Sequence, residues 1–264
     1  MKNINVVFLI AAIVGFSACE IDNYDGPDAQ ISGQIFTFET NGELLRTDQG
    51  NSTRIRMDEL SWAKGDTSIA ITPTFLNVKK DGTYANTKIF SGEYRMTPVD
   101  GPFYPCDEDG AIVHIKSSAP NVQNFVVIPY ATIEWVKEPE LIINAGDTII
   151  EASVRFTRNA KEGVDLPGLQ ELCLFISSNH YVGRGSWYED IISSRPNGGR
   201  IVTTGSSPLA NREGQEITLR STGIKYTNMT YYVRVGVSTE IRPTTFNYTT
   251  VVEIPVYENK GTGD

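Results

Sequence analysis

From residue 31 onward, hydrophobic and polar positions alternate in short runs, and the pattern predicts strands throughout. Residues 31–38 are β-rich and run into Asn41-Gly42, a reverse-turn pair. Residues 53–57, 67–75, 111–115 and 125–128 are strands of the same kind. Between 76 and 96 two turns, Asp81-Gly82 and Ser91-Gly92, each lead into extended chain. The proline-pinned loop from Gly101 to Gly110 cannot be a central strand, and Pro129-Tyr130 reads as a boundary. Beyond it, residues 131–135 open a second set of strands, and Asn144-Ala145-Gly146-Asp147 turns the chain into 148–157. There Ile150, Ala152, Val154 and Phe156 point to one face, while Glu151, Ser153, Arg155 and Thr157 point to the other. Residues 169–177 are apolar on both faces, as in a central strand. Residues 217–219, 231–237 and 246–254 complete the pattern, and no helix of ordinary length is predicted after the amino-terminal segment. The expected fold is all-β, with two consecutive β-sandwiches at 29–129 and 130–258 and a flexible tail at 259–264.

The amino terminus has another logic. Lys2, an apolar run over 6–16, the small residues Ser17 and Ala18, and then Cys19 make a bacterial lipoprotein signal peptide. The run is long enough to engage a translocon and too short to remain as a spanning helix. Cleavage after residue 18 leaves Cys19 to carry lipid, followed by an acidic, turn-rich tether over 19–28. The expected location is a membrane leaflet, with the membrane contacted by the lipid alone.

Charge narrows the partners. The chain carries 23 Lys and Arg against 32 Asp and Glu, a formal charge of −9, which argues against nucleic acid and against charge-driven docking on an anionic membrane. With Cys19 committed to lipid, Cys106 and Cys173 remain, in different expected domains. Cys173 lies within Leu172-Cys173-Leu174, where a buried thiol is the default. Two histidines, His114 and His180, cannot build a histidine-rich metal site. His114 alternates with Ile112 and Lys116 and is expected to face solvent. No catalytic residue, cofactor or metal is predicted: the acids form no evident dyad, and neither Ser186 nor Ser206 lies in a Gly-x-Ser-x-Gly elbow. Asp107-Glu108-Asp109-Gly110 is a compact acidic turn with oxygen ligands for calcium but without a fuller ligand set, so it reads as a solvated loop. Asp147-Thr148-Ile149 fits a short O-glycosylation acceptor pattern.

Sugar recognition lays an aromatic ring on a pyranose face and ties its hydroxyls to polar side chains. The loop at 179–189 carries Tyr181, Trp187 and Tyr188 as candidate platforms, with Arg184, Asn179 and Glu189 as polar partners; alternatively, Trp187 plugs the end of a sandwich core. Trp62, and Tyr104 beside Phe103, are weaker candidates on the first domain.

Asp81-Gly82-Thr83-Tyr84 followed by Gly92-Glu93-Tyr94 resembles the pattern of transthyretin-like, carboxypeptidase-regulatory-like sandwiches, which implies tyrosines capping the first core. The run Ile217-Thr218-Leu219, Gly223, Tyr231 through Val237 is similar to the corner of fibronectin type III domains, which implies that Tyr231 hydrogen-bonds back across the corner. The acidic residues after Cys19 resemble the signal that sends Bacteroidetes lipoproteins to the outer face of the outer membrane, which implies an outer-membrane location facing the cell exterior. The whole layout resembles two-domain Bacteroidetes lipoproteins of a domain-of-unknown-function family that accompany starch-utilisation-type glycan importers. That resemblance implies a non-catalytic accessory that binds an oligosaccharide or polysaccharide beside an outer-membrane transporter. The alternative is a structural or adhesive subunit that receives a protein partner along a sandwich edge.

Overall fold

Alternating burial starts at the first described strand. β1 (Ala29–Thr37) buries Ile31, Gly33 and Ile35 and exposes Gln30 and Ser32. The computed structural model describes residues 26–257 except 51, 67, 118, 145–146, 195–197, 204–207 and 225. The signal peptide, Cys19, most of the tether and the tail therefore lie outside the described residues.

The first domain continues with β2 (Arg54–Glu59), β3 (Thr74–Asn77), β4 (Thr83–Ile89), β5 (Gly92–Val99), β6 (Ala111–Ile115), β7 (Asn121–Val122) and β8 (Phe125–Val127). β1 pairs antiparallel with β4 and parallel with β7 and β8, while the facing sheet runs β3-β2-β5-β6. Ile35, Ile55, Met57, Met96 and Phe125 fill the space between the two sheets. At the first turn Gly82 adopts φ +76°, and a Cβ there would lie 2.6 Å from the Leu45 carbonyl oxygen. The tyrosines after the turns do cap the core. Tyr84 is buried and donates its hydroxyl to the Gln123 carbonyl, and Tyr94 donates to the Phe90 carbonyl at 3.0 Å.

The second domain comprises β9 (Ala131–Asn144), β10 (Asp147–Arg158), β11 (Leu169–Ser177), β12 (Arg200–Val202), β13 (Ile217–Arg220), β14 (Met229–Thr239), β15 (Phe246–Tyr248) and β16 (Val252–Val256). One sheet runs β13-β10-β9. The other runs β12-β11-β14-β15, with β16 also on β14. β11 is buried along nearly its whole length, as its two apolar faces predict. Tyr231 closes the corner, donating its hydroxyl to the Tyr226 carbonyl at 2.9 Å and accepting the Tyr226 N–H at 3.2 Å. The described residues contain no α-helix, only short 3₁₀ turns. Cys106 and Cys173 are free thiols, and burial pushes Cys106 up to about 11.

Three strands differ from expectation. Residues 67–75 yield only β3, which begins at Thr74. β9 extends well past residue 135, because Pro139 falls where the β9–β10 register slips, between the pairs Glu140–Glu151 and Lys137–Ser153, on a sheet-edge strand. The expected single strand at 246–254 breaks into β15 and β16. At the break the Thr249 hydroxyl accepts the Val235 N–H at 3.0 Å and the Thr249 N–H donates to the Val235 carbonyl.

The two cores draw on residues 29–127 and 131–256, respectively. What joins them is a buried ion pair. Asp48, in the loop after β1, and Arg234, on β14, meet at 3.2 Å, and Arg234 also donates to the Thr47 carbonyl at 3.1 Å. The Tyr248 hydroxyl lies 2.7 Å from both Asp48 oxygens, and its ring lies 3.4 Å beneath the guanidinium. The Arg184 N–H donates to Asp48 at 2.9 Å. Burial raises Asp48 and lowers Arg234 from their ordinary ranges, and each opposes the other's shift by its charge. Gly183 packs against the pair; a Cβ there would come within 2.2 Å of both Arg234 Nη2 and Asp48 Oδ1.

Removing one partner strands the other charge in the interior. Asp48→Ala is therefore expected to lower the unfolding free energy by about 3–5 kcal/mol, measured by urea denaturation. The double change Asp48→Leu with Arg234→Met should cost less than Asp48→Ala alone.

Candidate functional site

A cleft of about 430 Å³ opens where the end of β1 meets the start of β9, within the range of small-ligand sites. Phe38 and Trp135 supply its accessible aromatic surface, one from each domain, and the buried Tyr248 also lies in its lining. Arg46, Glu39, Glu43 and Glu134 supply its charge.

The local chain explains why Phe38 is available. β1 ends at Thr37, and the turn back to Leu44 is closed by the Thr37 N–H donating to the Glu43 carbonyl and the Gly42 N–H donating to the Glu39 carbonyl. The turn needs left-handed backbone at two positions. Asn41 takes φ +64°, which asparagine tolerates, and Phe38 takes φ +65°, which is unfavourable for a bulky side chain. Phe38 is 53% exposed. A strained, solvent-facing aromatic beside a cleft is the arrangement found where backbone strain serves binding. The Phe38 N–H is nonetheless held by the Val127 carbonyl at 2.9 Å.

Trp135 is half-buried, leaning on the second core, and its indole N–H donates to the Thr250 hydroxyl at 3.0 Å. That bond fixes the ring plane while leaving part of the ring on the cleft wall. Arg46 pairs with Glu43 at 3.3 Å, and Glu134 with Arg155 at 3.6 Å. The cleft thus offers two aromatic surfaces flanked by charged donors and acceptors, a chemistry suited to the apolar face and hydroxyls of a sugar.

The sequence-predicted residues lie elsewhere. Tyr104 is corrected: at 2% exposure it is core, its hydroxyl donating to the Asn159 carbonyl at 2.7 Å across the domain junction. Within the proline-pinned loop residues 101–104 are buried, whereas Pro105 and residues 107–110 stay exposed. Trp62 is 69% exposed, on a single 3₁₀ turn. Tyr181 is exposed and its ring lies 3.8 Å from that of His180, tilted by 41°, while Lys80 of the first domain donates to the His180 carbonyl at 2.7 Å. Trp187 is half-buried, edge-to-face on Phe175 at 5.1 Å, and so closes the end of the second core. Tyr188 packs near Tyr231 and donates to the Ser178 hydroxyl at 2.8 Å. Arg184 lines a different groove from Phe38 and Trp135. His114 faces solvent and pairs with Glu93 across β5 and β6 at 3.2 Å. Residues 107–110 are exposed, and among the described residues no three His, Cys, Asp or Glu side chains group as metal ligands.

The fold defines a protein of two β-sandwiches whose aromatic cleft lies on the seam between them. Residues 29–127 match the family model described as "Protein of unknown function (DUF3823) N-terminal domain". A DUF3823 family protein from Bacteroides uniformis ATCC 8492 is 26% identical, with 87% of this chain and 100% of that chain covered at a TM-score of 0.65. A proposed carbohydrate-binding protein from the same organism is also 26% identical, with 88% and 100% covered at 0.66. A DUF3823 family protein from Parabacteroides merdae ATCC 43184, at 21% identity, shares the fold, with 87% and 100% covered at 0.60. No curated protein matches the chain.

Phe38→Gly should relieve the left-handed strain and leave the unfolding free energy unchanged or raised by up to about 1 kcal/mol. Calorimetric melting checks this. A clear loss of stability would mean that the ring is held by packing and is not free for a ligand.

Proposed function

We propose that this protein is a non-catalytic glycan-binding protein of the cell surface, anchored through lipid on Cys19 and serving as an accessory to an outer-membrane polysaccharide importer. The observation that carries the reading is the pairing of the exposed, strained Phe38 with Trp135 across one interdomain cleft. The proposed carbohydrate-binding relative from Bacteroides uniformis supports it. Two of the three cleft carboxylates, Glu43 and Glu134, are engaged in ion pairs, which suits orientation of hydroxyls better than proton transfer. The adhesive alternative needs an edge that welcomes another strand. The edge strand β9 instead carries Lys137, Glu138, Pro139 and Glu140, residues that oppose such pairing.

A glycan-array screen of the chain from residue 28 onward, followed by tryptophan fluorescence titration, tests the binding role. A saturable hit is expected, with Trp135→Ala and Phe38→Ala each weakening it about tenfold or more. Silence across a broad array of neutral and acidic glycans would sink the reading. For the anchor, Cys19→Ala should move the protein from the membrane fraction to the soluble fraction, and continued retention would exclude lipid on Cys19.

A further inference from the structure

We propose that a second groove on the domain seam binds the carboxylate or sulfate group of an acidic saccharide, an inference that rests on the glycan-binding reading and gives it a substrate class. The groove, of about 530 Å³, is lined by three arginines, Arg54 from the first domain and Arg184 and Arg242 from the second. No aromatic side chain lines it, so it cannot stack a sugar face as the Phe38–Trp135 cleft can.

The three guanidiniums are not equally satisfied. The Arg54 guanidinium carbon lies 4.1 Å from the centre of the Phe75 ring, and the side chain grips one oxygen of Asp100 at 2.7 Å. Arg242 reaches the other Asp100 oxygen only at 3.4 Å. Arg184 is pinned by its backbone, its N–H lying 2.9 Å from Asp48 and 3.1 Å from the Tyr248 hydroxyl. Its guanidinium lies 5.7 Å from the Trp187 ring and has no carboxylate within salt-bridge distance among the described residues.

The charge balance follows from the fold. Arg54, Arg184 and Arg242, with Arg234 behind them, face two carboxylates, Asp48 and Asp100, and Asp48 is already bound to Arg234. The groove is therefore cationic by two charges on a chain whose formal charge is −9. Planar guanidinium forks suit carboxylate and sulfate oxygens, and partial burial in a groove strengthens such contacts over those in open water. Ser52 and Thr244 add hydroxyls to the lining for the rest of a sugar ring.

Isothermal titration calorimetry of the exported chain uses four probes: trigalacturonate, its methyl ester with the charges removed, a heparin-derived sulfated tetrasaccharide, and inorganic sulfate. At least one charged saccharide is expected to bind about tenfold or more tighter than the ester at low salt, with the advantage falling as salt rises. Arg184→Ala and Arg242→Ala should each weaken that binding about tenfold, and Arg184→Lys should retain part of it. Neutral glycans found on the array should bind these variants unchanged. Failure of both charged probes to exceed the ester, or insensitivity to Arg184→Ala, overturns the proposal. Inorganic sulfate binding as tightly as the saccharides overturns its saccharide part. If neutral glycans still bind and respond to Trp135→Ala, such a failure leaves the glycan-binding reading standing. Charged-saccharide binding that responds to Arg184→Ala but not to Phe38→Ala or Trp135→Ala supports the groove and overturns the cleft.

Discussion

The contact on which the rest of the arrangement depends is the buried pair of Asp48 and Arg234, with Tyr248 stacked beneath the guanidinium and donating to the carboxylate. A buried ion pair is a weak source of stability by itself, because desolvation consumes most of the attraction. Its stronger effect is on alternatives. A different docking of the two sandwiches would leave Asp48 or Arg234 buried without the other, whereas sliding an apolar patch over another apolar patch costs little. Gly183 is part of the same constraint: any side chain at that position would occupy the space of the pair. The domain orientation is thus specified by chemistry at one point and extended by neighbouring bonds. These include Tyr104 to the Asn159 carbonyl, Lys161 to the Pro105 carbonyl, and Lys80 to the His180 carbonyl.

Both candidate sites inherit their shape from that orientation. The aromatic cleft takes Phe38 from one sandwich and Trp135 from the other, and Tyr248 forms part of its lining. The arginine groove takes Arg54 from one and Arg184 and Arg242 from the other, and Asp48 forms part of its lining. The ion pair therefore connects the two linings. A hinge at the seam would separate Phe38 from Trp135 and spread the arginines. A seam fixed by a buried pair instead holds each set in place before a ligand arrives, which lowers the ordering cost of binding.

Much of the fold was legible because it is local. Alternation identified β10, the apolar run identified β11, and the glycine turns placed Tyr84 and Tyr94 over the first core. What escaped was long-range. Nothing near Phe38 in sequence marks it as exposed, because its availability follows from a turn that requires left-handed backbone at a phenylalanine. Trp135 looked like part of an ordinary strand, since its cleft neighbours come from β1 and the loop after it. Tyr104 was misread for the converse reason. Its proline-pinned loop has the composition of an exposed connection, yet the first four residues are buried and Tyr104 bonds to Asn159 of the second domain. Trp187 lay in a glycine-rich loop whose glycines suggested openness; Gly183 is there because the buried pair leaves no room for a side chain.

The two linings also differ in the physics they offer. An aromatic surface gains by burying the apolar face of a ring and is little affected by salt, whereas guanidiniums act on oxyanions and weaken as salt screens them. Neither surface is deep, so each alone supports modest affinity. Sites that occupy one rigid seam can engage successive residues of a single polymer. The second contact then forms at the effective concentration set by the first, and affinity rises without a deeper pocket. A capture protein gains from this arrangement, because shallow contacts release in succession and a chain held by several of them can still be passed on to a neighbour.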